Sequence, residues 1–207
     1  IRRDAMVGSI DFRFQGTQSF PSRELAGVLG LKSRGSFYSV RRALGKLPIL
    51  HEPATQRFDP IELQKDVVRL RRFYRRAGFL QAHTDYLVRV NGSGSVVSVT
   101  FLVDEGPPVV LRTIKVVGPG GSLKPSPPDS LAEDWRALEA GLAAGRGRRF
   151  GVAEAKAAEN RILAWLRDRG FPFATVASTR TVDSLSNAVD VSLETTPGPR
   201  SRLGTIT

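Results

Sequence analysis

The sequence predicts an α+β fold that is built twice, as two tandem β-α-α-β-β units. Each unit is expected to be a small three-stranded sheet with two helices on one face. The first supporting observation is an internal repeat, because two segments match 92 residues apart without a gap. Arg57-Phe58 recurs as Arg149-Phe150, and Gly78-Phe79 recurs as Gly170-Phe171. The other two observations are an apolar stripe at helical spacing in each repeat and a pair of alternating runs after it.

The repeat also sets the expected domain boundaries. It continues through further matched positions, namely Ala82 and Ala174, Gly106-Pro107 and Gly198-Pro199, and Leu111 to Ile114 with Leu203 to Ile206. We therefore predict one domain at residues 1–108 and a second at 109–202. Residues 203–207 match the opening strand of a unit, so we interpret them as the start of a further domain.

Composition limits the function classes. The chain has 207 residues, no cysteine and a net charge of +11. A chain without cysteine has neither disulfides nor thiolate metal sites. The excess of arginine has two interpretations: attraction to an anionic partner, or a solvated surface in a chain encoded by GC-rich codons. The charge is spread over both repeats and is not interleaved with aromatic residues, which a base-stacking surface would need.

The first strand and first helix have short signals. Residues 9–14 alternate apolar and polar side chains and end at Gly16, which predicts a half-buried strand. Ser22 is a predicted N-cap for a short amphipathic helix that Gly30 would end. Between residues 31 and 57 the only further prediction is a helical turn at residues 40–44.

A longer helix and a hairpin complete the first unit. Asp59 is expected to cap the helix, Pro60 suits its first position, and Gly78 suits the reversal at its end. The runs at 81–90 and 96–103 alternate and predict a β-hairpin. The inward stripe of the helix is predicted to be Leu63, Val67, Leu70, Tyr74 and Ala77.

The second unit repeats this order with an additional loop. The loop, residues 119–128, is rich in Pro, Gly and Ser. The predicted elements are a strand at 109–117, helices at 131–142 and 152–169, and a hairpin of strands at 175–182 and 188–193. The inward residues of the second helix are predicted to be Ala155, Ala158, Ile162, Trp165 and Leu166.

This order of elements and its turn residues resemble the POTRA (polypeptide-transport-associated) domain family, which occurs in tandem in outer-membrane barrel-assembly proteins such as BamA and TamA. The residues that carry the resemblance are Tyr74, Gly78-Phe79, Ala82, Val103 to Pro107, Ile114, Val116 and Gly118, with Gly170-Phe171, Ala174 and Gly198-Pro199 in the second unit. The chain departs from the pattern where Pro197 replaces a glutamate, where a loop follows Gly118, and where residues 31–57 are longer than their counterpart.

The resemblance implies a binding site at the sheet edge that the second strand of each unit forms. A client peptide would add there as an extra strand through main-chain hydrogen bonds. Residues 83–89 and 175–181 match that strand by position. The candidate client-binding residues are Thr84, Tyr86, Val88, Arg89, Val176, Ser178 and Arg180. The alternative for Arg89 and Arg180 is that they protect an exposed edge from aggregation.

A second candidate site is the basic face of the long helix. Arg69, Arg72, Arg75 and Arg76 form a patch that suits an anionic partner such as a membrane surface. The alternative is an ordinary solvated face opposite the apolar stripe. Residues 145–149 contain an Arg-Gly pattern typical of some nucleic-acid-binding segments, but it is a single short loop, and no nucleic-acid partner is expected.

Catalysis is not expected. The two histidines, His51 and His83, have no carboxylate or second histidine at ligand spacing, so neither a metal site nor a cofactor is predicted. Residues 118–121 are glycine-rich but lack the Gly-Lys-Ser/Thr ending of a phosphate-binding loop.

From the resemblance we expect the arm of an outer-membrane barrel assembly or translocation protein, on the periplasmic side of the bacterial outer membrane. Its partners would be unfolded outer-membrane proteins and accessory assembly proteins. The alternatives are the POTRA region of a two-partner secretion transporter or of a division protein, and, from a different class, a basic nucleic-acid-binding module.

Overall fold

The computed structural model describes residues 2, 4–32, 57–121 and 131–201. The chain divides into two compact units. The first comprises Ile1–Arg75 with Gln81–Gly106, and the second comprises Arg76–Leu80 with Pro107–Thr207. The predicted helical turn at 40–44, most of the 119–128 loop, His51 and the predicted strand at 203–207 lie outside the described residues.

The first unit has the predicted β-α-α-β-β order. Its sheet has the order β1-β3-β2, in which β1 runs parallel to β3 and β2 runs antiparallel to it. The parallel pair requires a crossover, and the two helices that the structure describes in this unit lie within it. The elements are β1 (Met6–Gln15), α1 (Ser22–Val28), α2 (Pro60–Arg76), β2 (His83–Val90) and β3 (Val96–Asp104).

The second unit repeats the architecture. Its sheet has the order β4-β6-β5, again with a parallel first pair and an antiparallel second pair. Helix α4 begins and ends 92 residues after α2, so the sequence repeat is a repeat of structure. The elements are β4 (Val110–Val117), a 3₁₀ turn (Pro119–Gly121), α3 (Ala132–Ala143), α4 (Val152–Asp168), β5 (Thr175–Asp183) and β6 (Ala188–Thr196).

Each core lies between the sheet and the helices. Alternate residues of β3 are fully buried, because one face of the strand packs inward and the other is half exposed. Leu63, Leu70 and Tyr74 of α2 are buried, whereas Val67 is only partly buried. In the second unit, the buried Ile162 and Leu166 of α4 occupy the positions of Leu70 and Tyr74.

Two aromatic side chains add to the second core. Trp135 of α3 is buried and packs edge-to-face on Trp165 of α4, with the ring centroids 5.0 Å apart. This geometry favours aromatic pairs beyond their buried area. Trp165 is only half buried and thus not fully inward as predicted, because it lies beside the buried stripe of α4. One face of its ring contacts the guanidinium of Arg169, 4.2 Å from the ring centroid.

The predicted helix reversals are confirmed. Gly78 and Gly170 follow the two long helices and have φ values of 93° and 89°. A side chain is strained in this left-handed region, so glycine ends each helix. Asp59 also caps α2 as expected, since its Oδ1 accepts the Ile61 N–H at 2.8 Å.

The ends of α1 differ from the prediction. Pro21, not Ser22, is the N-cap residue, and it makes no side-chain cap bond. The fixed φ of proline places the chain in the extended conformation that a helix entry requires. The helix ends before Gly30, because Leu29 is already extended and the N–H groups of Gly30 and Leu31 are bound by the carboxylate of Asp66.

Candidate functional site

The second strand of each unit lies at a sheet edge. β3 and β6 are central and paired on both sides, whereas β2 and β5 are each paired on one side only. No strand in the described part of the chain pairs with the outer side of β2 or β5. These two strands therefore present main-chain donors and acceptors along one complete side.

The opposite edge of the second sheet is covered where β4 begins. Gly147 N–H donates to Leu111 O at 2.8 Å, Leu111 N–H donates to Arg148 O at 2.9 Å, and Phe150 N–H donates to Val109 O at 2.9 Å. The Arg-Gly loop at 145–149 is therefore tied to β4 by its backbone, not free as a nucleic-acid-binding segment would be.

The first sheet has the same arrangement at its own beginning. Phe58 N–H donates to Ala5 O at 2.7 Å, and Arg57 forms an isolated antiparallel bridge with Met6. Arg57-Phe58 and Arg149-Phe150 are the first matched residues of the sequence repeat, so their shared role is to cover the start of the first strand. The edges at β2 and β5 lie on the other side of each sheet.

The predicted client-binding residues of β2 differ in what their side chains can reach. Thr84 is buried, and its hydroxyl donates to Val67 O of α2 at 3.2 Å, so only its main chain faces the edge. Tyr86 and Val88 are half buried on the same face, and Arg89 is exposed on the opposite face. Leu87, on the face of Arg89, is an exposed large apolar side chain.

A carboxylate that was not predicted occupies the middle of the β2 edge. Asp85 Oδ1 accepts the N–H of Tyr86 at 2.8 Å, so this N–H points away from β3. Main-chain groups alternate in direction along a strand, so the N–H groups of Thr84 and Val88 also point outward. The signal in the sequence was an aspartate inside an alternating run, since aspartate is depleted in strands.

The β5 edge carries a carboxylate at the matching position. Ser178 corresponds to Tyr86, and the hydroxyl and N–H of Ser178 help to lower the pKa of Glu159 on α4. The hydrogen bond from Lys156 to Glu159, at 2.8 Å, and then the bonds from Ser178 hold the pKa of Glu159 below its usual 4.5. Glu159 is thus ionised at neutral pH and places a negative charge beside this part of the β5 edge.

The other predicted residues of β5 flank Ser178. Val176 is half buried and Arg180 is exposed. Arg180 replaces Val88 of β2, and Val176 replaces Thr84, so the two edges share main-chain geometry but differ in side-chain chemistry. Strand addition at both edges would therefore use the same hydrogen bonds and different side-chain contacts.

The four arginines predicted as a basic patch on α2 have two different environments. Arg69 is 37% exposed and forms ion pairs with Glu62 and with the fully buried Asp66, so its charge is neutralised locally. Arg72, Arg75 and Arg76 are exposed. An anionic partner for these three arginines stays a prediction.

Two buried carboxylates fix loops of the first unit, and the sequence did not assign these contacts. Asp66 accepts the N–H groups of Gly30 and Leu31 at 2.7 and 2.9 Å. Glu105 is 3% exposed and accepts the N–H of Ser19 with both oxygens, at 3.0 and 3.1 Å. Each anion is thus hydrogen-bonded, as a buried charge must be.

An ion-pair cluster joins the strands of the second sheet. Arg112 Nε lies 3.2 Å from both carboxylate oxygens of Asp190, and its Nη1 lies 3.1 Å from Asp183. The Arg112 hydrogen bond, followed by that of Thr113, lowers the pKa of Asp190 to about 2. The cluster lies where the β4–β6 register shifts, between Leu111 and Thr113, so it connects strands across this irregularity.

The described residues show no features of a metal site or of a membrane-spanning helix. They contain no cluster of three or more histidine, cysteine, aspartate or glutamate side chains that could hold a metal ion. No helix within the same ranges is long and apolar enough to span a membrane. His83 is exposed at the first position of β2.

The sequence has a family match and several structural relatives. Residues 6–106 match the family model of POTRA, described as the surface antigen variable number repeat. No curated protein matches the chain. One similar solved structure is POTRA3-5 of BamA from Haemophilus influenzae, which is 22% identical, with 97% of this chain and 70% of that chain covered and a TM-score of 0.47.

Two other structures show similar coverage of this chain. POTRA1-2 of the periplasmic domain of Omp85 from Anabaena is 17% identical, with 91% of this chain and 94% of that one covered and a TM-score of 0.44. CdiB from Escherichia coli is 13% identical, with 92% of this chain but only 27% of that one covered and a TM-score of 0.36.

The family match covers the first unit, and the second unit has the same strand order, a long helix at the matching position and matching turn glycines. Residues 6–106 therefore belong to the POTRA family, and the chain consists of two tandem POTRA-like repeats.

Proposed function

We propose that this chain is part of the periplasmic arm of an outer-membrane barrel-assembly or translocation protein. In this proposal it binds extended segments of unfolded outer-membrane proteins, or of accessory proteins, as an added strand at β2 or β5. Binding involves no covalent chemistry and no cofactor. The observation that carries the proposal is that, among the described residues, no strand pairs with the outer side of β2 or β5, whereas the opposite edge is covered at its start.

The chemistry of these edges suits clients of varied sequence. Main-chain hydrogen bonds to Thr84, Tyr86 and Val88 do not depend on the side chains of the client. An added strand would place alternate side chains on the helix-covered face and on the solvent face of the sheet. Segments that alternate apolar and polar residues, as transmembrane β-strands do, match these two faces.

The proposal is tested by removing one outward N–H from each edge. Control variants separate this effect from the loss of the side chain. Val88→Pro and Arg180→Pro, made together, delete an edge donor at matching positions of β2 and β5. Proline is tolerated on an edge strand where its nitrogen faces solvent. The matched control is Val88→Ala with Arg180→Ala, which truncates both side chains but keeps both N–H groups.

The measurement is the affinity for a fluorescent peptide with the alternating sequence of a transmembrane β-strand. We expect the double proline variant to bind at least about tenfold more weakly, because one hydrogen bond is lost and the added strand is blocked sterically. The double alanine variant should stay within about threefold of the native chain. Equal binding by the proline variant and the native chain, with both folded by circular dichroism, would refute strand addition at these edges.

A further inference from the structure

The second unit contains a groove between its helices that differs in charge from the matching place in the first unit. This α3–α4 groove has a volume of ≈ 540 Å³ and is lined by Leu111, Ile114, Leu142, Phe150, Arg148 and Arg161 among others. Its floor is apolar and its rim is cationic. It lies on the β4 side of the sheet, away from the β5 edge.

In the first unit, the arginine at the position of Arg161 is paired with carboxylates of its own helix. Arg69 of α2 corresponds to Arg161 of α4, since the two helices match at an offset of 92. Arg69 forms ion pairs with Glu62 and Asp66. Asp66 in turn binds the N–H groups of Gly30 and Leu31, so its carboxylate bridges the arginine and the loop after the first helix.

The second unit lacks this internal carboxylate. Asp66 is replaced by Ala158, which lines the α3–α4 groove. Glu154 corresponds to Glu62, but it accepts the N–H of Gly151 at 2.8 Å and does not pair with Arg161. Within the described part of the chain, no carboxylate lies within ion-pair distance of Arg161.

Arg161 is nevertheless placed over the groove. Its Nη1 donates a long hydrogen bond, 3.4 Å, to Gly141 O of α3, and a Cβ at Gly141 would lie 3.0 Å from its Nη2. The glycine thus leaves space for the guanidinium beside α3. Arg148 is exposed and also lines the groove, while Glu154 is the one acidic side chain in the lining, so the local charge is net positive.

We propose that the α3–α4 groove binds an acidic segment of a partner protein. A carboxylate of that segment would hold the position on Arg161 that the Asp66 carboxylate holds on Arg69. An apolar side chain next to it would cover the floor formed by Leu142 and Phe150. Guanidinium and carboxylate groups form strong, geometrically specific pairs, which is the charge complementarity this groove offers. The site is separate from the β2 and β5 edges and does not depend on strand addition.

The test uses the whole chain, labelled with ¹⁵N, and two blocked peptides. One is acetyl-Ala-Leu-Asp-Leu-Ala-amide, and the other has asparagine in place of aspartate. We expect the aspartate peptide to shift the backbone amides of Gly141, Gly145 and Arg148 with a dissociation constant of about 1 mM or below. The asparagine peptide should bind at least about tenfold more weakly, because it loses a charge-assisted pair.

Two variants and a control localise the effect. Arg161→Gln should weaken binding of the aspartate peptide at least about tenfold, while Arg167→Gln, an exposed arginine of the same helix outside the groove, should leave it unchanged. Ala158→Asp should also weaken binding, since it restores the internal carboxylate of the first unit. Arg161→Gln alone decides the matter if Ala158→Asp does not fold.

The proposal is overturned by any of three results. These are equal binding of the two peptides, amide shifts confined to β5, and unchanged binding by Arg161→Gln. Because the proline variants at Val88 and Arg180 leave the groove intact, they should bind the aspartate peptide normally, which separates this site from the proposed client edges.

Discussion

At the scale of single residues, two buried carboxylates hold the first unit's loops. Glu105 accepts the N–H of Ser19 with both oxygens, and Asp66 accepts those of Gly30 and Leu31. Burial, followed by the charge of Glu105, raises the pKa of Tyr74, whose hydroxyl is therefore protonated at neutral pH. These anions connect helices and strands that are far apart in sequence.

The Glu105 contact predicts a stability effect. Glu105→Gln keeps the shape of the side chain but removes the charge and one of its acceptor oxygens. We expect the free energy of unfolding to fall by about 1–3 kcal/mol, because the Ser19 N–H loses one of its two acceptor oxygens and the charge that strengthens the bond. Urea denaturation measures the change.

Asp11→Asn is the matched control for Glu105→Gln, because it removes an exposed charge from β1 of the same unit. It should change stability by less than about 0.5 kcal/mol. Equal midpoints for Glu105→Gln and the native chain would contradict a stabilising role for Glu105.

These residues also show the limit of prediction from sequence at this scale. Glu105 was part of the motif that carried the resemblance, but nothing in the sequence placed it beside Ser19, which is 86 positions away. Asp66 lies within the buried stripe of α2, where an apolar pattern assigns only apolar residues to the core. Contacts between distant segments depend on the tertiary fold, which periodicity does not specify.

At the scale of elements, both edge strands have a carboxylate at the matching position, which binds the Tyr86 N–H in β2 and is influenced by Ser178 in β5. Asp85 comes from β2 itself, whereas Glu159 comes from α4. The lowered pKa of Glu159 means that its bonds stabilise the folded chain above pH 4.5 and are lost as the pH falls through the lowered value. In the proposed mode of binding, a client strand at neutral pH would compete with the Asp85 carboxylate at β2 and with the Glu159 carboxylate at β5.

This arrangement predicts that the two carboxylates oppose strand addition. Asp85→Ala with Glu159→Ala frees the N–H of Tyr86 and removes the carboxylate beside Ser178. We expect affinity for the alternating peptide to rise by about threefold to tenfold, because a competing hydrogen bond of about 1 kcal/mol is removed. Fluorescence anisotropy gives the affinity.

Asp11→Ala, on β1, removes an exposed carboxylate of the first sheet and serves as the control for the variant that lacks both edge carboxylates. It should leave peptide affinity unchanged. Weaker binding by the variant that lacks both edge carboxylates would show that these carboxylates assist the client and do not oppose it.

The sequence predicted the helices and strands better than it predicted strand order and side-chain pairing. The strands and long helices appear within a few residues of their predicted bounds, since alternation and helical stripes are local signals. The edge position of β2 and β5 came from the resemblance, because strand order is not encoded locally. Arg69 was assigned to a basic patch for an anionic partner, because its pairing with the buried Asp66 cannot be read from the charge pattern alone.

At the scale of the whole molecule, the two repeats share architecture and differ in their candidate sites. The shared residues are mostly turns, helix ends and edge covers, such as Gly78 with Gly170 and Arg57 with Arg149. The differences lie at the candidate sites: Asp66 becomes Ala158, and Asp85 becomes Ala177. Duplication therefore predicts the fold well, whereas binding must be argued for each unit separately.

The central claim is that an extended client adds as a fourth strand at β2 or β5, and residue-resolved amide hydrogen exchange tests it most directly. With the alternating peptide bound, we predict increased protection at alternate residues of an edge: Thr84, Tyr86 and Val88, or Val176, Ser178 and Arg180. The intervening amides face β3 or β6 and should change little. Unchanged exchange at both edges while the peptide is bound would contradict the account.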